Sequence, residues 1–280
     1  MSGIPPSTFP ARLHVLLARD ARYGVIIRRG PSKRVCTIGW NREDDSFTPG
    51  QWLKGRIYER RSDLSPDGRH LLYFAMNGHW DSEVKGAWTA ISISPYLKAI
   101  SLWAKGDCWH GGGLFIDKKH YWINDGYGHS PLKVTSVLKR VDEYPNYVYY
   151  GGECTGVYYL RLLRDGWSYK GEISKGEYHE VVTFEKPVNE HWILRKFAHA
   201  TLDHPDGKGC YYDEHEMENV KAGVKIDGQN WEWADVDRRR VVWATDGKLF
   251  AGRLSTKDMD NIVQLHDFNS VEYERTKAPY

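Results

Sequence analysis

The sequence has few cysteines, no long apolar run and little excess charge, and each absence excludes a class of protein. None of its four cysteines stands in the Cys-x-x-Cys spacing of a zinc ribbon or redox pair. No stretch approaches the roughly 20 apolar residues of a membrane helix, and the first ten residues are unlike a signal peptide. We therefore expect a cytoplasmic protein with no membrane partner and mostly buried thiols, at Cys36, Cys108, Cys154 and Cys210.

A formal net charge of only +2 argues against a dedicated nucleic-acid binder, which would need a strong basic field. Basic residues cluster locally, but carboxylates such as Glu59 and Asp63 stand beside most of these clusters. We therefore predict solvated faces rather than a nucleic-acid interface. The clusters are Arg28, Arg29, Lys33 and Arg34; Arg56, Arg60 and Arg61; and Arg238, Arg239 and Arg240.

Aromatic residues make up 14% of the chain, with 12 Trp and 18 Tyr, and such side chains suit the half-buried surface of a sheet. Long helical periodicity is scarce. Residues 24–40 are typical of a hairpin around Gly30, Pro31 and Ser32. In residues 62–75, the turn Ser65-Pro-Asp-Gly precedes an apolar strand that we expect over residues 70–75.

A hydrophobic run, an acidic or glycine turn and an apolar strand recur along the chain, near Asp67, Asp117, Asp165, Asp206 and Asp237. Repeats of roughly 40 to 50 residues with several short strands are typical of propeller blades. The pattern predicts an all-β fold of antiparallel sheets: a small β-propeller of five blades, with six as the alternative. Residues 1–10 are then a tail and residues 11–280 a single domain.

Residues 64–75 resemble the TolB-like β-propeller repeat, whose blades carry a Ser-Pro-Asp-Gly turn, a basic residue and an apolar strand. Weaker copies begin at Asp203 and Ala234, whereas residues 96–160 depart from the pattern. The resemblance implies a propeller fold and no particular activity, because propellers host many functions.

Two short segments are the predicted exceptions to the all-β pattern. Residues 95–104 have apolar side chains on one helical face, with Ser94 as a possible N-cap. Residues 256–260 are the second, shorter candidate for a helix.

Two loop-like segments carry the predicted binding site, because each places His and Trp beside a carboxylate among glycines. The predicted binding residues are His79, Trp80 and Asp81 in the first segment and Asp107, Trp109 and His110 in the second. Gly111, Gly112 and Gly113 follow, and they allow either close approach to a ligand or a bulge that leads into a strand.

Catalytic alternatives find weaker support in the sequence. For Cys108 to act as a nucleophile with His110, the two side chains would need to meet in space and the thiol would need a lowered pKa. We favour a buried thiol at Cys108.

Residues 199–216 contain three histidines, a cysteine and carboxylates, but their spacing matches no established metal motif. We read Asp206-Gly207 as a turn and residues 213–216 as a solvated acidic stretch, and we predict no metal and no cofactor.

The leading hypothesis is a non-catalytic binding or scaffold propeller that recognises another macromolecule, most simply a protein. The alternative is a glycosidase-like hydrolase, which needs two carboxylates across a sugar, in the central funnel. A carbohydrate partner is therefore possible. Candidate carboxylates by chain position are Asp63, Asp107, Glu153 and Asp203.

Overall fold

The structure is a computed structural model that describes residues 9–30, 33–126, 128–255 and 258–280. Its contacts divide the chain into two compact units. Unit 1 contains residues 1–161 and 271–280, and unit 2 contains residues 162–270. The single domain expected over residues 11–280 stays a prediction, as does the tail, of which residues 1–8 lie outside the described part.

Most of the described part of unit 1 is β-structure, and the strands in it belong to three sheets. Its strands are β1 (Arg12–Leu17), β2 (Tyr23–Arg29), β3 (Arg34–Asn41), β4 (Ser46–Lys54), β5 (Arg56–Ile57), β6 (Asp63–Leu64), β7 (His70–Met76), β8 (Ala87–Ile93), β9 (Ala99–Ala104), β10 (Gly113–Phe115), β11 (His120–Ile123), β12 (Ser130–Lys133) and β13 (Lys139–Val141). A short 3-10 helix covers Glu59–Arg61, and one α-helix, α1, covers Cys154–Arg164.

The three sheets of unit 1 have simple strand orders. The first sheet is β1-β2-β3-β4, all antiparallel. The second is β12-β9-β8-β7-β5, and β6 also pairs with β7. The third is β10-β11-β13, where β11 and β13 run parallel. The all-β class with antiparallel sheets is therefore confirmed, with this single parallel pair among the described strands, and the sheets are open.

Neighbouring sheets of unit 1 are joined by apolar cores. Val25 and Ile27 of the first sheet share one buried cluster with Leu71 and Tyr73 of the second. A second cluster joins the second sheet to Phe115, Tyr121 and Ile123 of the third. Because each sheet must cover its apolar face, stacking on the next sheet in the chain provides that cover.

The described residues of unit 2 form two further antiparallel sheets, each in chain order. The first sheet is β14 (Ser168–Gly176), β15 (His179–Pro187), β16 (Trp192–Thr201), β17 (Tyr211–Asn219) and β18 (Val224–Gly228); the second is β19 (Trp233–Asp237), β20 (Arg240–Thr245), β21 (Lys248–Leu254) and β22 (Met259–Asp267). Strand β17 alternates between half-buried and buried residues, so that Asp213 and His215 are buried. The prediction of a solvated stretch over residues 213–216 is therefore wrong for these two residues.

The Ser-Pro-Asp-Gly turn and the strand after it are confirmed. Gly68 N–H donates to Ser65 O at 2.8 Å, and Ser65 Oγ donates to Asp67 Oδ1 at 2.6 Å. Gly68 has φ +75°, a conformation that glycine adopts at little cost. The hairpin expected over residues 24–40 is also present as β2–β3, although Pro31 and Ser32 lie outside the described residues.

Both helix predictions are wrong where the structure describes them. Residues 99–104 form β9, which pairs with β8, so that tertiary pairing overrides the helical spacing of the apolar residues. Met259 and Asp260 begin β22, while Thr256 and Lys257 lie outside the described residues. Conversely, residues 158–163, the hydrophobic run before the Asp165 turn of the predicted repeat, belong to α1, whose Val157 and Leu160 pack on Leu114 and Trp122.

Candidate functional site

The two predicted loops leave the same end of the second sheet. Residues 77–86 follow β7, and residues 105–112 follow β9; both strands are antiparallel to β8, which lies between them. Lys105 N–H donates to Ala87 O at 2.9 Å, and a Cβ on Gly106 would lie 3.5 Å from the Lys85 side chain. The structure therefore brings the two loops together, and we call them the tryptophan loops.

The first tryptophan loop is held by its own hydrogen bonds. His79 N–H donates to Asn77 Oδ1 at 3.0 Å, and Ser82 Oγ donates to His79 O at 2.6 Å. The Trp80 ring lies on Gly86, where a Cβ would approach it to 2.5 Å, yet Trp80 is 52% exposed. His79 and Asp81 on either side are also exposed. The loop thus presents an indole from a fixed backbone.

The second tryptophan loop is organised by Asp107. One carboxylate oxygen accepts from Trp109 N–H at 2.8 Å, and the other accepts from the fully buried Lys105 side chain at 2.8 Å. Arg61 donates to Cys108 O at 2.7 Å and also to His110 O. Trp109 is 53% exposed on this braced turn. Asp107 therefore positions the loop.

His110 packs inward rather than toward solvent. It has φ +56°, its N–H donates to Gly152 O at 2.6 Å, and its ring lies so close to Gly126 and Gly152 that neither glycine has room for a side chain. Burial, together with the Lys105 and Arg61 cations, lowers the pKa of His110. The imidazole is therefore neutral at pH 7.

A buried polar chain, which no sequence motif predicts, lies beside the second tryptophan loop. His129 Nδ1 lies 2.5 Å from Asp125 Oδ1, and His129 Nε2 lies 3.0 Å from Thr89 Oγ1. Arg140 also binds Asp125, and Gly112 N–H donates to Thr89 Oγ1 at 2.9 Å. Burial lowers the pKa of His129 despite Asp125.

The order carboxylate, imidazole, hydroxyl is that of a catalytic triad. However, Thr89 is completely buried, as is the side chain of His129, so no substrate reaches the hydroxyl. Thr89 accepts from Gly112 N–H and donates to the neutral imidazole. The chain therefore anchors the Gly112 backbone rather than activating a nucleophile.

The structure gives three of the candidate glycosidase carboxylates other partners. Asp63 is buried and accepts from Phe115 N–H at 2.7 Å, Asp107 binds Lys105, and Glu153 lies 3.9 Å from Arg61. Asp203 is exposed in unit 2. In the described ranges, no three His, Cys, Asp or Glu side chains gather into a group that could hold a metal ion.

The predicted solvated faces are wrong for three arginines, because Arg28, Arg60 and Arg61 are buried. Their guanidinium groups stack on aromatic rings: Arg28 on Trp52 at 5.5 Å, Arg60 on Tyr158 at 4.6 Å, and Arg61 on Tyr58 at 4.9 Å. Aromatic stacking and backbone carbonyls thus replace solvent around these cations.

The cysteine prediction holds for two of the four residues. Cys36 and Cys154 are buried, whereas Cys108 and Cys210 are exposed. Over the described part of the chain, no helix has the length and apolar character needed to cross a membrane.

Neither a family model nor a curated protein sequence matches the chain. Among solved structures, the chain is similar to the 1.18 Å crystal structure of the uncharacterized protein lmo1340 from Listeria monocytogenes EGD-e. The match is 11% identical, covers 94% of this chain and 68% of that chain, and has a TM-score of 0.31. A likeness of this size carries no argument about fold or function.

Proposed function

We propose that the chain is a non-catalytic binding or scaffold protein that recognises another protein through the tryptophan loops of unit 1. The observation that carries the proposal is the pair of half-exposed indoles, Trp80 and Trp109, on adjoining loops. Tryptophan is enriched among residues that dominate binding energy at protein interfaces. Because internal hydrogen bonds already fix both loops, little conformational entropy is lost when a partner binds.

A β-propeller of five blades, with six as the alternative, is part of this proposal. Its support is the stacking of the three unit 1 sheets on one another in chain order, with an apolar core between neighbours. Propeller blades cover their faces in this way. Loops at one end of such stacked sheets form a broad surface suited to a macromolecular partner.

We expect that changing Trp80 and Trp109 together to alanine weakens capture of the partner. Loss of two interface anchors costs about 2 kcal/mol or more, which is roughly a 30-fold rise in Kd. The measurement is affinity capture from native lysate with the intact chain as bait, followed by a Kd for the captured macromolecule. Capture of a glycan instead of a protein would identify a carbohydrate partner.

The matched control is Tyr178→Ala, because Tyr178 is an aromatic residue in unit 2 that is somewhat more exposed than the two tryptophans. This variant should capture the partner as the wild type does. Circular dichroism must show that all variants are folded. Equal capture by the tryptophan double variant and the wild type would remove the tryptophan loops from the binding surface.

A glycosidase-like hydrolase finds less support in the carboxylate geometry. An open cavity of about 450 Å³ in unit 2 is lined by Glu172 and Glu180, and the charge of Glu172 acts on the Glu180 carboxyl group. Glycosidases hold their two carboxyl groups about 5 Å or more apart. The candidate carboxylates Asp63 and Asp107 are instead engaged by Phe115 N–H and by Lys105.

The same pair predicts a pH-dependent stability. Burial and the neighbouring Glu172 raise the pKa of Glu180, so the folded state favours its protonated form. The contribution of protonated Glu180 to the free energy of unfolding is present below the ordinary pKa of a glutamate. It is lost as the pH rises through the pKa of Glu180 in the folded state. We expect Glu172→Gln to raise Tm by about 1–2 °C at pH 7 and to have a smaller effect at pH 4.

Thermal unfolding at the two pH values measures this difference. Glu177→Gln is the control, because it removes a charge that lines the same cavity without belonging to the pair. An identical shift at pH 4 and pH 7 would contradict the raised pKa of Glu180.

A further inference from the structure

The first turn of α1 has the features of an anion site. The helix contains 11 residues, carries no acidic residue in its first turn, and follows Gly151, Gly152 and Glu153. Gly151 has φ +97°, and Thr155 Oγ1 donates back to Tyr150 O, which fixes the loop before the helix. The first backbone N–H groups of a helix lack partners within it and carry partial positive charge.

A second and independent observation is the amide of Asn124. Asn124 is only 3% exposed, and its Nδ2 has no hydrogen-bond partner among the described residues. Nδ2 lies 3.9 Å from where a Cβ on Gly156, in the first turn of α1, would stand. Because an unpaired buried donor costs free energy, its position beside the helix terminus points to an acceptor that comes from outside the chain.

Arg61 adds a cation to the same place. It is 2% exposed, and its Nη2 lies 3.9 Å from Glu153 Oε2, which is too far for a hydrogen bond. Its Nε is buried without a hydrogen-bond partner in the described structure. The Glu153 side chain is one-third exposed.

The local field also favours an anion. The His110 ring lies 2.6 Å from where a Cβ on Gly152 would stand, and Lys105 and Arg61 both help to lower its pKa. Two cations, Lys105 and Arg61, therefore act on a ring that contacts the Gly151–Gly152 loop.

We propose that the first turn of α1, with Asn124 and Arg61, binds a small oxyanion of the phosphate type. The anion accepts from the first-turn N–H groups, from Asn124 Nδ2 and from the Arg61 guanidinium, and it displaces the Glu153 carboxylate toward solvent. This site needs no protein partner, so it stands apart from the function proposed for the tryptophan loops.

The test is calorimetric titration of the full chain with inorganic phosphate and, in parallel, with phenyl phosphate. Both probes share the oxyanion chemistry, and tighter binding of phenyl phosphate would assign the site to a phosphate carried on a larger molecule. We expect saturable binding to the wild type. Glu153→Gln should bind about threefold more tightly, because it removes a competing negative charge.

Asn124→Leu should weaken binding about tenfold while the chain stays folded, because it removes a donor to a charged group and leaves no buried polar atom unpaired. Glu272→Gln is the control for Glu153→Gln, because it removes an exposed charge elsewhere in unit 1, and it should bind as the wild type does. Failure of saturable binding in both the wild type and Glu153→Gln would overturn the proposal. Wild-type affinity for phosphate in Asn124→Leu would also overturn the proposal. A third contradicting outcome is a lowered Tm of Asn124→Leu together with no phosphate binding by the wild type, because the amide would then act only as a helix cap.

Discussion

Replacing Gly112 with alanine should lower the free energy of unfolding by about 2–5 kcal/mol or prevent folding. Gly112 has φ +74°, which costs a side chain about 1–2 kcal/mol. Its new Cβ would also overlap the carbonyl oxygen of Arg61, and overpacking of this kind adds about 1–3 kcal/mol. The backbone cannot move aside, because Gly112 N–H is held by Thr89 and its carbonyl accepts from Asn124 N–H.

Gly78→Ala is the matched control for this prediction. Gly78 also has φ +74°, but nothing lies within 4 Å of the position that its Cβ would take. Its cost is therefore conformational strain alone, about 1–2 kcal/mol. Urea denaturation of both variants measures the difference, and equal losses would show that the Arg61 carbonyl yields more easily than the structure implies.

The three consecutive glycines show what the sequence can and cannot predict. Glycine predicts close backbone approach, but not the group that approaches. In the structure, a Cβ on Gly111, Gly112 or Gly113 would meet Phe74, Arg61 or Trp122 respectively. The glycine run therefore accommodates the protein's own core and backbone, and packing against residues this far along the chain is invisible in local sequence.

Turns and strands near them were predictable because their causes are local. The Asp67–Gly68 turn follows from the residues that form it, and β7 follows at once. The secondary structure of residues 95–104 was not determined locally. Although the apolar residues have helical spacing, residues 99–104 form β9 because their backbone pairs with β8. Helix α1 was not predicted, because its tyrosines are compatible with either a helix or a strand.

The candidate site was predictable in its residues but not in its arrangement. Trp80 and Trp109 stand out in the sequence as aromatic residues in glycine-rich loops, and both are exposed. That β7 and β9 run in the same direction, and so bring the loops together, depends on strand pairing. The contact of His129 with Thr89 joins residues 40 positions apart, and no spacing rule predicts it.

Burial of charged residues was the largest failure of sequence reasoning. A basic cluster beside carboxylates is usually solvated, yet Arg61 is buried and donates to backbone carbonyls of the second tryptophan loop. Its neighbours in sequence, Tyr58 and Glu59, do not reveal this. The cost of removing arginine from water is offset by hydrogen bonds and aromatic contacts that only the tertiary structure supplies.

Removal of Lys196 in unit 2 is the second change that we expect to be strongly destabilising, because its cation is buried among polar partners. Its side chain is 1% exposed; Nζ lies 2.8 Å from His215 Nε2, 3.6 Å from Asp213 Oδ2 and 4.8 Å from the Trp167 ring centre. His215 Nδ1 donates to Trp231 O at 2.8 Å, which leaves Nε2 to accept from Lys196. We expect Lys196→Ala to lower the free energy of unfolding by about 3–5 kcal/mol, measured by urea denaturation.

Volume and charge contribute separately to that loss, and two further variants distinguish them. Lys196→Met keeps the aliphatic volume but leaves the Asp213 carboxylate buried beside no lysine, so it should remain strongly destabilised. Adding Asp213→Asn should recover part of the loss, because the uncompensated charge is then gone. Lys225→Ala, which removes an exposed ion pair to Glu216 on the same sheet, should change stability by no more than about 0.5 kcal/mol. No recovery in the double variant would mean that packing around Trp167, rather than charge compensation, is what Lys196 provides.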